Sequence, residues 1–181
     1  MAKASWGVDI AKTNVKAVRL ELQDNAVILT HFEILPVDVI EGEAYESALQ
    51  RTLADFKRKL NVKDPVVFSL PGQTIFNRVK RLPPVEDDKI EDIVRMELKS
   101  DLPFDPSQVV WGYQLVPTAE GEERELMLLA VKKGVVDEFL EAIKQIKFNI
   151  TALQFAQLGL YNFLLYDRAE DLGEAVLILD I

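Results

Sequence analysis

The chain has 181 residues, 49% of them apolar, with 30 acidic against 21 basic side chains and a formal net charge of −9. That length supports one well-packed core with an added subdomain, and the acidic balance argues against general nucleic-acid binding. With no cysteine and one histidine, His31, there is no disulfide framework, thiolate metal site or cysteine nucleophile, and a Ser-His triad or a histidine-rich metal site is disfavoured.

The N-terminus lacks the basic-then-apolar pattern of a secretion signal, and no apolar run approaches about 20 residues. The sequence therefore points to a cytoplasmic protein that does not itself cross a membrane. Strands are predicted at 4–10, 14–22 and 26–35. In the first, Trp6, Val8 and Ile10 alternate with Ser5, Gly7 and Asp9, the period of a half-buried strand. Asp9 falls on the non-core face at its end, and Lys16 shares the parity of Val18, Leu20 and Leu22 on the returning strand. His31, in the third strand, reads as a surface residue. A turn with exposed N–H groups, a carboxylate for hydrated Mg²⁺ and a lysine suit a nucleotide's phosphate tail. An ordinary amphipathic hairpin has the same pattern.

A helix is predicted over 43–60, with Tyr45, Leu49, Leu53, Phe56 and Leu60 on one stripe. Val66-Val67-Phe68 then reads as a short strand buried on both faces. Residues 73–132 read as an insert of order β-α-β-β: strand 74–82 ending at Pro83-Pro84, helix 86–100, strand 109–116 and an apolar strand 126–131. Glu86, Asp87 and Asp88 suit the helix N-terminus, and Ile90, Ile93, Val94 and Leu98 form its stripe. Glu120, Glu122, Glu123 and Glu125 mark an acidic hairpin tip. Helix 134–146, strand 148–154, helix 155–167 and an apolar strand 175–181 close the chain. Two basic clusters stand out. Lys57-Arg58-Lys59 with Lys63 suits a helix C-terminus, and Arg78 with Lys80-Arg81 reads as a solvated strand face.

Ala175 to Ile181, ending in Asp180-Ile181, is similar to Trp6-Gly7-Val8-Asp9-Ile10. The pair resembles the two facing strand-turn motifs of the actin, heat-shock chaperone and sugar-kinase superfamily. More specifically, Ser69-Leu70-Pro71-Gly72, Leu82-Pro83-Pro84, Val94-Arg95-Met96-Glu97, Leu102-Pro103-Phe104 and Trp111-Gly112-Tyr113-Gln114 resemble, in order and spacing, the PilM family of type IV pilus assembly proteins, relatives of the division protein FtsA. The resemblance implies an α/β fold, an actin-like ATPase (ribonuclease-H-like) core with an inserted small β-α-β-β subdomain. It implies the N-terminal half only: 1–72 and 133–174 as subdomain 1A, 73–132 as a 1C-like subdomain, and 175–181 as the start of a second half.

It also implies a nucleotide-binding hairpin of Asp9, Ala11, Lys12, Thr13, Asn14 and Lys16, with Asp9 holding Mg²⁺ through water. Gln157 and Asp180 are the implied catalytic positions. The turn departs from the superfamily pattern at Ala11, where glycine is usual, and at Lys12, which either adds a phosphate contact or fills the site. ATP and Mg²⁺ are implied for a full-length protein and neither is required by the fragment, which is expected to make at most a weak phosphate or Mg²⁺-nucleotide contact at this hairpin, to turn over no ATP and to self-associate through 175–181. The implied function is a cytoplasmic scaffold at the inner face of the inner membrane that binds the cytoplasmic N-terminal tail of a PilN-like partner in a groove between 1A and 1C. Phe76, Phe104 and Trp111 are apolar candidates there, each equally suited to a core. The alternatives are the cytoplasmic domain of an L-type component of type II secretion, an FtsA-like division protein, and a sugar kinase or nuclease on the same core.

Overall fold

Alternating apolar residues produce β1 (Ala4–Ile10), which pairs antiparallel with β2 (Asn14–Gln23), and β2 pairs antiparallel with β3 (Ala26–Pro36). Asp24 and Asn25 turn the second hairpin with φ of 46° and 65°, the left-handed pair that matches strand twist in a two-residue loop. Helix α1 (Tyr45–Leu60) follows and ends at Asn61, whose φ of 49° makes it a left-handed cap. The next strand, β4 (Val66–Leu70), lies parallel between β1 and β8 (Ile150–Phe155), and α4 (Ala156–Asp167) follows β8. The five-stranded sheet has the order β3-β2-β1-β4-β8. The computed structural model describes residues 3–70, 75–82, 85–101, 105–116 and 123–167, and the predicted strand 175–181 lies outside them.

The chain divides into two compact units, Met1–Gly72 with Ala142–Ile181, and Gln73–Glu141. In the first, α1 buries Ala48, Leu49, Leu53 and Phe56, and Trp6, Val8, Ile10, Val15, Ala17, Val66, Phe68 and Leu70 line the buried side of the sheet. Aromatic rings knit this layer: Trp6 meets Phe56 edge-on with centroids 5.2 Å apart, and Phe68 meets Phe148 at 5.3 Å. Edge-to-face pairing of this kind adds about 0.5–1.5 kcal/mol beyond area burial. His31 is half-buried rather than fully at the surface, its ring 5.7 Å from Trp6.

The structure corrects the parity of β2. Its buried side carries Val15 and Ala17, while Leu20 and Leu22 are exposed on the other side. The hairpin register forces this, because Ile10 faces Val15 and Val8 faces Ala17, and opposed residues share a face. A bulge in the β2–β3 pairing at Arg19/Leu20 then keeps Leu29 and Phe32 on one face although they are an odd number apart. Nor is β4 buried on both faces: Val66, Phe68 and Leu70 are buried and Val67 and Ser69 only half so. Strand β8 starts later than the predicted 148, because the chain turns after α3 and Lys147 takes a φ of 57°.

The second unit contains β5 (Ile75–Leu82), α2 (Asp87–Asp101), β6 (Val109–Val116) and β7 (Arg124–Lys132), with most of α3 (Lys133–Lys144). Its sheet is antiparallel in the order β5-β7-β6. Leu82, Ile90, Val94, Leu98, Leu126 and Leu128 form its core, with Trp111 and Leu115 packed against them. The insert thus has its own core, supplied by the predicted α2 stripe.

Candidate functional site

The hairpin predicted to meet a phosphate is held from three sides. The Ala11 N–H donates to Asn14 O at 2.9 Å and closes the turn, and the Val37 N–H donates to Thr13 O at 2.9 Å. From the first turn of α1, the Tyr45 hydroxyl donates to Ala11 O at 3.0 Å. Burial, and then the nearby Glu46 carboxylate, raise the Tyr45 pKa, so the phenol keeps its proton for this bond. Ala11 does not occupy the left-handed region; among the described residues the non-glycines with positive φ are Asp24, Asn25, Asn61 and Lys147. Glycine's conformational freedom is therefore not required at position 11.

Strand register then sets a polar row across the sheet. Asp9 faces Lys16 on β2 and Ser69 on β4; the row continues to Ile34 on β3 and Gln154 on β8. The Ser69 hydroxyl donates to Asp9 Oδ1 at 2.6 Å. Lys16 is exposed and, among the described residues, makes no ion pair with Asp9. Lys12 and Thr13 are exposed at the turn. Asn14 Nδ2 donates to Thr13 Oγ1 at 3.3 Å, while Asn14 Oδ1 is buried without a donor. An unpaired buried acceptor costs about 1–3 kcal/mol, which marks this turn as a place where an arriving donor is welcome.

These residues fit a Mg²⁺-bound phosphate tail. Two ammonium groups and the turn's exposed backbone suit phosphate oxygens, and one oxygen of Asp9 remains for the water shell of a hydrated cation. Among the described residues no group of three or more acidic or histidine side chains is placed to hold a metal. A single carboxylate with one oxygen left over could hold Mg²⁺ through its water shell.

The predicted residues Asp9, Ala11, Lys12, Thr13, Asn14 and Lys16 come together. Gln157 lies exposed in the first turn of α4, outside the row, and Asp180 lies outside the described residues. Sequence reasoning missed Ser69 and Gln154. Counting strand parity back from the end of β8 was the available signal for Gln154. A Cβ added at Gly159 would stand 4.0 Å from Gln154 Oε1, so that carboxamide lies beside α4.

In the second unit, Trp111 packs on the core, with the Arg95 guanidinium 5.2 Å from its ring. Phe76 is half-buried, with Arg78 5.0 Å from its ring; Phe104 lies outside the described residues. The two basic clusters are largely committed. Lys57 donates to Ile146 O at 2.7 Å and to Lys147 O, Arg58 pairs with Asp55 and Lys59 with Glu33. Lys80 pairs with Glu97 and Arg81 with Glu125. Among the described residues no helix is long and apolar enough to cross a membrane.

No family model and no curated protein sequence matches the chain. Among solved structures it is similar to a chain of the PilM-PilN type IV pilus biogenesis complex, with a TM-score of 0.69 and 24% identity over 88% of this chain and 49% of that one. It is also similar to the cytoplasmic domain of EpsL, an inner membrane component of the type II secretion system of Vibrio cholerae. There the TM-score is 0.53 at 14% identity, over 83% of this chain and 57% of that one. The chain thus spans about half the length of these structures. Its five-stranded mixed sheet and inserted three-stranded unit give it an α/β fold like that of the PilM-PilN chain.

Proposed function

We propose that this chain is a PilM-like scaffold of a type IV pilus machine, working at the cytoplasmic face of the inner membrane and taking the cytoplasmic tail of a PilN-like membrane protein. The observation that carries the reading is the fold match to a PilM chain solved with PilN over 88% of this chain. An extended tail needs apolar pockets and free backbone groups, and each unit supplies a sheet with its own core. The β1–β2 hairpin is the nucleotide contact, with Lys12, Lys16 and the turn backbone on phosphate and Asp9 on the hydrated Mg²⁺ that neutralises it. Gln154 is the polar side chain that the register adds to this site.

Calorimetry with a synthetic peptide from the cytoplasmic start of the membrane partner, with and without Mg-ATP, tests the scaffold reading. Affinity on the order of micromolar is expected, since a short peptide loses conformational entropy on binding. No binding to this chain, with binding to a longer form, would move the tail site elsewhere. Sustained ATP turnover by the 181 residues, lost in Asp9→Ala, would overturn the view that this segment is inactive alone. Self-association through 175–181 belongs to the same reading, and deleting that segment should then give a monomer in sedimentation. The similarity to the EpsL domain favours a second reading, a secretion-system component; a membrane-spanning run encoded in the same gene would support it.

A further inference from the structure

The bond between Ser69 and Asp9 has a specific chemical effect on the site. Parallel neighbours in register project from the same face of a sheet, strands lying about 4.8 Å apart. A serine hydroxyl is short enough to reach the adjacent carboxylate, and here it does so at 2.6 Å. Both residues are half-buried, so the bond is partly shielded from competing water. It commits Oδ1 to the protein, and among the described residues no side chain or N–H engages Oδ2.

A carboxylate fixed in this way offers a cation one oxygen instead of two. Mg²⁺ and Mn²⁺ are small, keep an octahedral shell, and accept a single carboxylate oxygen or a bridging water. Ca²⁺ is larger and gains from bidentate carboxylates. We propose that Ser69 is the positioning residue of the hairpin site, leaving Asp9 one oxygen to hold the water shell of a small divalent cation and withholding the bidentate contact from which Ca²⁺ gains. This rests on the reading of the hairpin as a nucleotide contact. Ser69 touches neither nucleotide nor metal in this account and acts through Asp9 alone. Outer partners of this type typically alter metal affinity by about 10–100-fold when removed.

The test uses the 181-residue chain with Mn²⁺-ADP as paramagnetic probe, read as broadening of the amide signals of Lys12 and Thr13, with Ca²⁺ as competitor. The wild-type chain is expected to show the broadening and Asp9→Asn to lose it. Ser69→Ala should weaken Mn²⁺ retention about ten-fold while Ca²⁺ competes at least as well as before, so the preference narrows. Ser69→Thr, which keeps the hydroxyl, should restore both. A Ser69→Ala chain that keeps the wild-type preference, with Asp9→Asn still silent, overturns the role of Ser69 and leaves the hairpin reading standing. Equal loss of Mn²⁺ and Ca²⁺ in Ser69→Ala also overturns it, because that is the signature of a merely structural defect. Absence of broadening in the wild-type chain sinks the hairpin reading, and the proposal with it.

Discussion

On the α1 side of the five-stranded sheet Val8, Val15, Ala17, Val66 and Phe68 are 1% exposed or less, whereas on the other side Leu22, Leu29, Phe32 and Ile34 are between 50% and 57% exposed. Strand β2 contributes to both sides, and the residue types are alike. What differs is closure. Helix α1 lays its stripe over the first side and completes a dry aromatic layer, with Phe56 joining Trp6 and Phe148. The second side carries the row of Lys16, Asp9, Ser69 and Gln154 near the ends of its strands and leaves the β2–β3 wing apolar beside it. Apolar composition therefore identifies a strand here, but only register identifies which side is core. The α1 side is also bordered by ion pairs: Arg19 with Glu21 and Asp64, and Lys59 with Glu33.

The sharpest way to break this contrast is to shorten a phenylalanine on each side. Phe56→Ala should cost about 3–5 kcal/mol in urea unfolding, the usual result of emptying a packed aromatic site. Phe32→Ala should cost less than about 1 kcal/mol, because little of its surface leaves water on folding. Equal losses would mean that the wing is covered in solution. A second measurement sharpens the same point without unfolding anything: Phe32→Glu should lower binding of a hydrophobic dye to the native chain, since large exposed apolar patches are what such dyes read. Unchanged dye binding would relocate the accessible apolar surface, with the exposed Phe163 and Tyr166 of α4 as the next place to look.

Tyr45→Phe comes next in size. It removes the bond from α1 to Ala11 O and leaves that carbonyl to water, for a loss of about 0.5–1.5 kcal/mol. Hydrogen exchange at Lys12 and Thr13 should quicken more than exchange in β4, which would show the effect to be local. The smallest effect is an acid one. Lys59 lowers the pKa of Glu33, and Arg19, followed by Gln23, lowers that of Glu21. A lowered folded value favours the ionised form, so the contribution is complete above the ordinary glutamate value of about 4.3 and fades as pH falls below it. Both groups are solvent-facing, so the loss should be slight and should shrink further in salt. Lys59→Met should flatten this part of the acid limb; an unchanged profile would show that the pair contributes nothing.

Much of the fold was legible because each element satisfies a local rule. The α1 stripe of Leu49, Leu53 and Phe56 and the α2 stripe of Ile90, Val94 and Leu98 are each readable without distant contacts. The β2 parity was not. It depends on which residue stands opposite Ile10, a matter of turn length and pairing rather than of hydropathy. The site divides in the same way. Asp9, Lys12, Thr13 and Lys16 lie within one hairpin and were found as a group. Ser69 and Gln154 join the row through parallel pairing of β1 with β4 and β4 with β8; strand parity gives the face of Gln154, but the pairing itself is not written in any local pattern.

That parallel pairing also bears on how the chain reaches its native state. Val66 must find Ile150, and everything between them, the second unit included, is loop until it does. Closing a flexible loop grows costlier with the logarithm of its length, and long-range parallel pairing is slow for the same reason. The insert has an independent core of leucines and branched residues on its own three strands, so it is able to collapse before β8 docks. A kinetic order follows: β1–β3 with α1 and the insert condense on local contacts, and the β4–β8 seam closes last. Core substitutions in the insert, such as Leu128→Ala, should then slow appearance of the β8 amides in pulse-labelled exchange, even though Leu128 belongs to a different unit.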